Sequence, residues 1–278
     1  MKNYLKLIRI KHWVKNFLIF LPIICGNAIS KNNLFKTVLG FFAFSFIASF
    51  IYIINDIKDI ENDKIHSLKK YRPIASGKIS KKNALLVAII LLILSLLFNY
   101  LANMKIINIP LIFLLLYLID NILYSFGLKN KAIIDIVLLS LGFIIRVYYG
   151  SYLTNILVSN WLFLTVMNGS LFLGLGKRKK ELIYNKNTRE SLNDYNLVFL
   201  DKFQYITMTL TLVFYSLWAI EKNNLVYTIP LLLIIFMKYS LNIENNKDGD
   251  PVNILYSDKL LLFLCSIYII MMILLLVK

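Results

Sequence analysis

The sequence predicts an all-α integral membrane protein, about nine transmembrane helices in all, and three observations carry that prediction. Apolar residues make up 59% of the 278-residue chain, whereas an ordinary soluble domain is nearer half apolar. They fall in long uncharged blocks such as 85–104 and 260–277, each about long enough to cross ~30 Å of hydrocarbon as a helix. The basic residues cluster in the short segments between those blocks. Barrel strands would be shorter and would alternate in polarity, which these blocks do not.

In chain order the spans fall at roughly 16–30, 34–54, 83–102, 107–125, 132–153, 157–176, 203–220, 225–241 and 260–277. The first is short and interrupted by Pro22, and it continues an amphipathic leading segment carrying Lys6, Arg9 and His12. The N-terminal segment and the loops at 56–82, 126–131, 177–202 and 242–259 hold about 24 Lys and Arg, and the alternate loops with the C-terminal end hold about five. Positive loops stay inside, so the N-terminus is expected in the cytoplasm and the C-terminus outside. No small-residue cleavage site follows a signal-type core, so the basic N-terminus is expected to be retained. Residues 1–278 read as a single domain without a soluble module or a fixed-period repeat.

The net charge of +16 raises the possibility of nucleic acid. The basic residues lie beside membrane spans, so no nucleic-acid partner is expected. Cys25 and Cys265 lie in apolar stretches without metal-like spacing, as small core residues do.

The second span runs directly into Asn55-Asp56-Ile57-Lys58-Asp59-Ile60-Glu61-Asn62-Asp63. A continued helix places Asp56, Asp59 and Asp63 on one face. Three carboxylates there repel one another unless a divalent cation neutralises them, and Mg²⁺ favours carboxylates together with substrate phosphate oxygens. The trio is therefore a candidate Mg²⁺–diphosphate site. A solvated acidic helix end is the competing reading, but the surrounding loop is strongly basic.

Asn-Asp-x-x-Asp-x-x-x-Asp after the second span resembles the first signature of the UbiA superfamily of intramembrane prenyltransferases. Further segments narrow the likeness: Lys11-His12-Trp13-Val14-Lys15-Asn16, then His66, Tyr71-Arg72-Pro73-Ile74-Ala75-Ser76-Gly77, Tyr124-Ser125 with Leu128-Lys129, Gly176-Lys177-Arg178 with Glu181, and Gly249-Asp250-Pro251. Together they resemble the branch containing decaprenyl-phosphate phosphoribosyltransferases. The resemblance implies a UbiA-like helical bundle with a cytoplasmic-side active-site cavity.

It also implies the remaining site residues. Asn55 opens the acidic signature and joins the substrate-binding set. In the second polar segment, where aromatic-prenylating members are expected to carry another Asp-x-x-x-Asp, this chain has Asp135 alone, flanked by Tyr124 and Lys129. Asp135 joins Asp56, Asp59 and Asp63 as catalytic. Lys15 and Asn16 start the first span, where a lysine either snorkels or meets phosphate. Arg72 is suited to bidentate phosphate contact. Lys177 and Arg178 end the sixth span, where the helix dipole and the positive-inside rule already favour cations. The Lys-Arg-x-x-Glu match sets Lys177, Arg178 and Glu181 at the substrate and leaves Lys179 and Lys180 at the surface. Arg146 lies mid-span, three turns from Asp135. An internal ion pair and a substrate contact are both open for it. Lys238 either snorkels or binds. Tyr100, Tyr152 and Trp161 read as interface belts.

The function implied is Mg²⁺-dependent transfer of phosphoribose from phosphoribosyl pyrophosphate to a polyprenyl phosphate, for cell-envelope glycan synthesis. Partners would be those two substrates and membrane lipids, with a homo-oligomer compatible, in the bacterial inner membrane. The lipid phosphate is already an anion, so no general base is required, which suits a chain with two histidines and no triad-like set. Two rivals remain. One is an aromatic-substrate prenyltransferase using a prenyl diphosphate, and the other a lipid-phosphate transporter, which has little need of three clustered carboxylates.

Overall fold

The computed structural model describes residues 2–65, 69–184, 189–222, 224–246 and 249–276, with Asn62 described by its backbone alone. His66, quoted in the motif above, lies outside these residues. Among the described residues every regular element is helical. In chain order they are α1 (Lys2–Leu7), a 3₁₀ helix (Ile10–Phe20), α2 (Leu21–Cys25), α3 (Lys31–Lys58), α4 (Ile60–Ile65), α5 (Lys81–Asn103), α6 (Ile109–Ser125), α7 (Ile134–Thr154), α8 (Asn160–Tyr184), α9 (Leu197–Ile220), α10 (Ile229–Asn245), α11 (Pro251–Ser257) and α12 (Lys259–Leu276). Short 3₁₀ turns stand at Lys69–Tyr71, Leu128–Asn130, Glu190–Asn193 and Leu225–Thr228.

Among the described residues six segments are long and apolar enough to cross a membrane: α3, α5, α7, α9, α12 and Leu225–Asn245. α6 is a shorter apolar helix, and α8 carries Lys177, Arg178, Lys179 and Lys180 near its end. The starts of α3, α5, α9 and α11 are written in the sequence as caps. Ser30, Ser80, Asn196 and Asp250 each accept a backbone N–H from the first turn. The first expected span is corrected. In place of one helix over 16–30, a 3₁₀ helix ends in the short α2, and Leu21 N–H reaches back only three residues, to Leu18. Pro22 has no N–H to donate and cannot extend an α-helical ladder.

The chain divides into two compact units. The first holds Met1–Ile23, Ala28–Asn121 and Arg146–Ile156. Its core packs α3 on α5 through small residues, which let membrane helices approach closely. Ala43, Ala48, Ala84 and Ala88 are buried, and Ser95 Oγ donates to the Ala43 carbonyl at 2.8 Å. Gly150 of α7 lies so near the first 3₁₀ helix that a Cβ there would sit 2.1 Å from the Ile19 carbonyl oxygen.

The second unit holds Ile24–Asn27, Ile122–Ile145 and Leu157–Lys278. α8 packs on α9 and α10 there. Phe172, Tyr239, Ile243, Ile254 and Leu261 form one buried cluster, and Ile136, Leu175, Leu192, Tyr195 and Leu200 another. Gly249 precedes α11 where a Cβ would meet Lys177 Cα at 3.0 Å, so the loop lies against the backbone of α8.

Candidate active site

The first unit gathers charge where α3 ends. Asp56 is 3% exposed and accepts from Arg9 Nη2 at 2.5 Å and Arg72 Nη1 at 3.0 Å. The same Arg72 nitrogen reaches Asp63 Oδ2 at 2.6 Å. Arg72 follows the turn Lys69–Tyr71 and is held by its own N–H on the Lys69 carbonyl, 2.9 Å, while Ile74 and Ile79 anchor the next residues in the core. Arg9 stands between α1 and the first 3₁₀ helix with φ 52 and ψ 49, and its guanidinium lies 4.7 Å from the Tyr52 ring centre. A left-handed backbone costs a non-glycine residue about 1–2 kcal/mol. The ion pair and the ring contact offset that cost.

The spacing predicts all three carboxylates on one face, and the structure modifies this. α3 stops at Lys58, Asp59 takes φ −94 and ψ 14, and α4 resumes at Ile60. Asp56 and Asp63 come together on Arg72, whereas Asp59 is half-buried. Among the described residues no three metal-ligating side chains are gathered in one cluster. Asp56 and Asp63 both meet one positive nitrogen of Arg72 within 3.0 Å. Mg²⁺ is commonly held by one or two carboxylates, with water and substrate phosphate oxygens completing the shell.

Further along the same unit, Asn16 is 1% exposed, donates to Ser45 Oγ at 2.9 Å and accepts from Arg146 Nε at 2.7 Å. Arg146 also donates to the Tyr117 hydroxyl at 2.9 Å, and its guanidinium faces the Phe44 and Tyr117 rings. Lys15 and Asn55 are half-buried.

The second unit centres on a buried ion pair. Asp135, in the first turn of α7, and Arg178 of α8 are both fully buried, with Nε to Oδ2 at 2.5 Å. Arg178 also donates to Glu181 one turn on and to the Tyr124 hydroxyl at 3.0 Å. The other Asp135 oxygen accepts from the Tyr195 hydroxyl at 2.7 Å. Arg189 donates to that same Tyr124 oxygen, and its Nε lies 3.7 Å from Glu181. Lys177 stands 3.7 Å from Asp250, and Lys129 contributes its carbonyl to Ser191 Oγ at 3.1 Å. Thus Tyr124, Asp135, Arg178 and Glu181 are brought into one network. Burial works against the Glu181 carboxylate, but Arg178, Arg189 and Lys177 outweigh it and hold it at about 2. Burial and the hydrogen bond to Asp135 push the Tyr195 phenol up.

Lys179 and Lys180 are corrected from surface to buried. They are 8% and 3% exposed. Lys179 pairs with Glu244 and, at 2.6 Å, with Asp201, while Lys180 donates to the Glu244 carbonyl at 3.0 Å. α9 and α10 supply these acids, so the last two cations of the run of four are neutralised by neighbouring helices. Lys238 pairs with Asp258 at 2.8 Å. That bond and the Leu261 N–H hold Asp258 at about 2. Sequence reasoning missed Arg9 and the partners Arg189, Ser191 and Tyr195. Nothing in their spacing marks them, because loop positions have no period to read.

An all-helical integral membrane protein, with arginine–carboxylate networks at the ends of its helices, is the class these features define. The chain matches the UbiA prenyltransferase family over residues 19–267 and belongs to that family. It is an enzyme of the transferase class. It is 32% identical over 279 residues to decaprenyl-phosphate phosphoribosyltransferase of Mycobacterium tuberculosis, covering 95% of this chain and 91% of the relative. Digeranylgeranylglyceryl phosphate synthase of Saccharolobus solfataricus is 30% identical over 238 residues, 84% of this chain and 76% of that one. In fold, a UbiA homologue from Archaeoglobus fulgidus solved with GPP and Mg²⁺ superposes with a TM-score of 0.72 over 99% of this chain and 100% of that one, at 19% identity.

Proposed function

We propose that the protein transfers phosphoribose from phosphoribosyl pyrophosphate to a polyprenyl phosphate, in a Mg²⁺-dependent reaction that serves cell-envelope glycan synthesis in a bacterial inner membrane. The observation that carries this is the near full-length likeness to a decaprenyl-phosphate phosphoribosyltransferase, and the Asp56–Asp63 pair gathered on Arg72 supports it. Asp56 and Asp63 would hold the cation, with Asp59, which follows the end of α3, as a further candidate ligand. The bound ion would supply charge neutralisation to the departing pyrophosphate.

The lipid phosphate oxygen attacks the anomeric carbon, a new C–O bond forms, and the bond to pyrophosphate breaks with its electron pair leaving on pyrophosphate. No proton need move, since the attacking oxygen is already anionic. Asp135, Tyr124 and Glu181 orient the basic residues of the second unit. In the second unit Lys177 and Lys129 would neutralise phosphate charge; in the first unit Arg72 would do the same, with Lys15, Asn16, Asn55 and Arg146 as that unit's further candidate substrate-binding residues. The contribution is positioning and electrostatics, so no nucleophilic side chain is required. The family match runs through both compact units, which supports residues 1–278 working as one domain.

A prenyl transfer is the second reading, favoured by the likeness to digeranylgeranylglyceryl phosphate synthase. Purified protein with Mg²⁺, labelled phosphoribosyl pyrophosphate and a short polyprenyl phosphate should yield lipid-extractable label. A parallel reaction of prenyl diphosphate with hydroxybenzoate should yield none. Prenylated aromatic product with the ribosyl donor untouched would overturn the assignment.

A further inference from the structure

We propose that Arg189, rather than the fully committed Arg178, is a phosphate-binding cation of the second unit. The inference deepens the phosphoribosyl-transfer reading and rests on it. Arg178 has the charge for substrate but no surface to offer. Its side chain is 0% exposed, and its three nitrogens are committed to Asp135, Glu181 and Tyr124 in turn.

Arg189 is placed differently. Its side chain keeps 18% exposure, its ion pair with Glu181 is long at 3.7 Å, and its Nη1 donates to the Tyr124 hydroxyl. Two guanidinium groups therefore converge on one phenol oxygen. A guanidinium binds most strongly to a planar pair of anionic oxygens, so exchanging the phenol for a phosphate is favourable at Arg189. The turn that follows it is tied down by Ser191 Oγ donating to the Lys129 carbonyl at 3.1 Å. Lys177, 27% exposed and 3.7 Å from Asp250, adds a second loosely paired cation. The ligand chemistry is a phosphate oxyanion, supplied by the sugar donor or by the lipid head group.

The test is equilibrium binding by the full chain in detergent, with two probes measured separately: labelled inorganic pyrophosphate and a short prenyl monophosphate. Arg189→Gln should weaken one of them by about tenfold or more, the scale of one charge-assisted contact, with a melting temperature near wild type. Whichever probe is lost identifies the source of the phosphate. Arg189→Lys, which keeps the charge and loses the fork, should fall between. Unchanged binding of both probes in Arg189→Gln overturns the proposal, as does a wild type that binds neither, or a fall in stability with binding intact. Should Arg189→Gln not fold, wild-type binding by Arg189→Lys overturns it. A wild type that binds pyrophosphate tightly yet transfers no ribosyl label would sink the functional reading and leave the binding result standing on its own.

Discussion

Asp56 lies between two guanidinium groups at 2.5 and 3.0 Å, so a change there acts on charge before it acts on packing. Asp56→Asn keeps the shape and leaves Asp63 with Arg72. Turnover should fall by about ten- to a hundredfold, since losing one charged contact costs about 1.5–3 kcal/mol, while a melting curve still shows a folded protein. EDTA should silence the wild type and Mg²⁺ restore it; full activity in metal-free buffer would remove the metal from the proposal. Arg178 is the opposite case. Arg178→Gln leaves Asp135 and Glu181 without their buried partner, and breaking such a pair costs about 3–5 kcal/mol, so the melting temperature should drop sharply. Glu181 adds an acid dependence. Its carboxyl is held at about 2 against an ordinary 4.5, so its stabilising effect is present above 4.5 and is lost as pH falls through 2. Glu181→Gln should flatten the stability profile in that window, and an unchanged acid limb would refute the assignment.

Helices succeed or fail here on a few small residues. Gly150→Ala would place a methyl 2.1 Å from the Ile19 carbonyl oxygen. Neither side is a flexible tip, so α7 and the first 3₁₀ helix must part, at about 1–3 kcal/mol. Thermal melting should show the loss, and a wild-type transition would mean the contact is looser than its geometry. Much of the element plan was legible in the sequence. Apolar blocks placed α3 and α5 to within about four residues and α9 at its C-terminal end, whereas α9 starts six residues earlier than expected, at Leu197. The first span was less legible, because Pro22 changes the hydrogen-bond pattern of a segment whose composition looks like any other span. Motif and spacing singled out Asp56, Asp59 and Asp63 as a trio and Arg72 as a separate phosphate contact; that Arg72 bridges Asp56 and Asp63 became visible only in the fold. Arg9 and Arg189 could not be singled out, since a left-handed residue and a loop arginine become partners only once distant helices bring Asp56 and Tyr124 to them.

At the scale of the whole molecule, the distribution of Lys and Arg sets an expected orientation that labelling can check. With Cys25 and Cys265 replaced, a cysteine at Asn193 should be shielded from an impermeant thiol reagent in intact cells, while one at Leu157, 93% exposed, should react. Labelling of position 193 from outside would reverse the topology and move the proposed chemistry to the other face.

The buried lysines of α8 also have a consequence in time. Lys179 and Lys180 meet Glu244, which stands 65 and 64 residues later in the chain. A ribosome therefore delivers α8 well before Glu244 exists, and until α10 follows, Lys180 lacks that partner while Lys179 has Asp201 of α9 alone. Biogenesis depends on α10 arriving. A nascent chain stopped after α9 should remain accessible to proteases at α8, and one extended past α10 should become resistant.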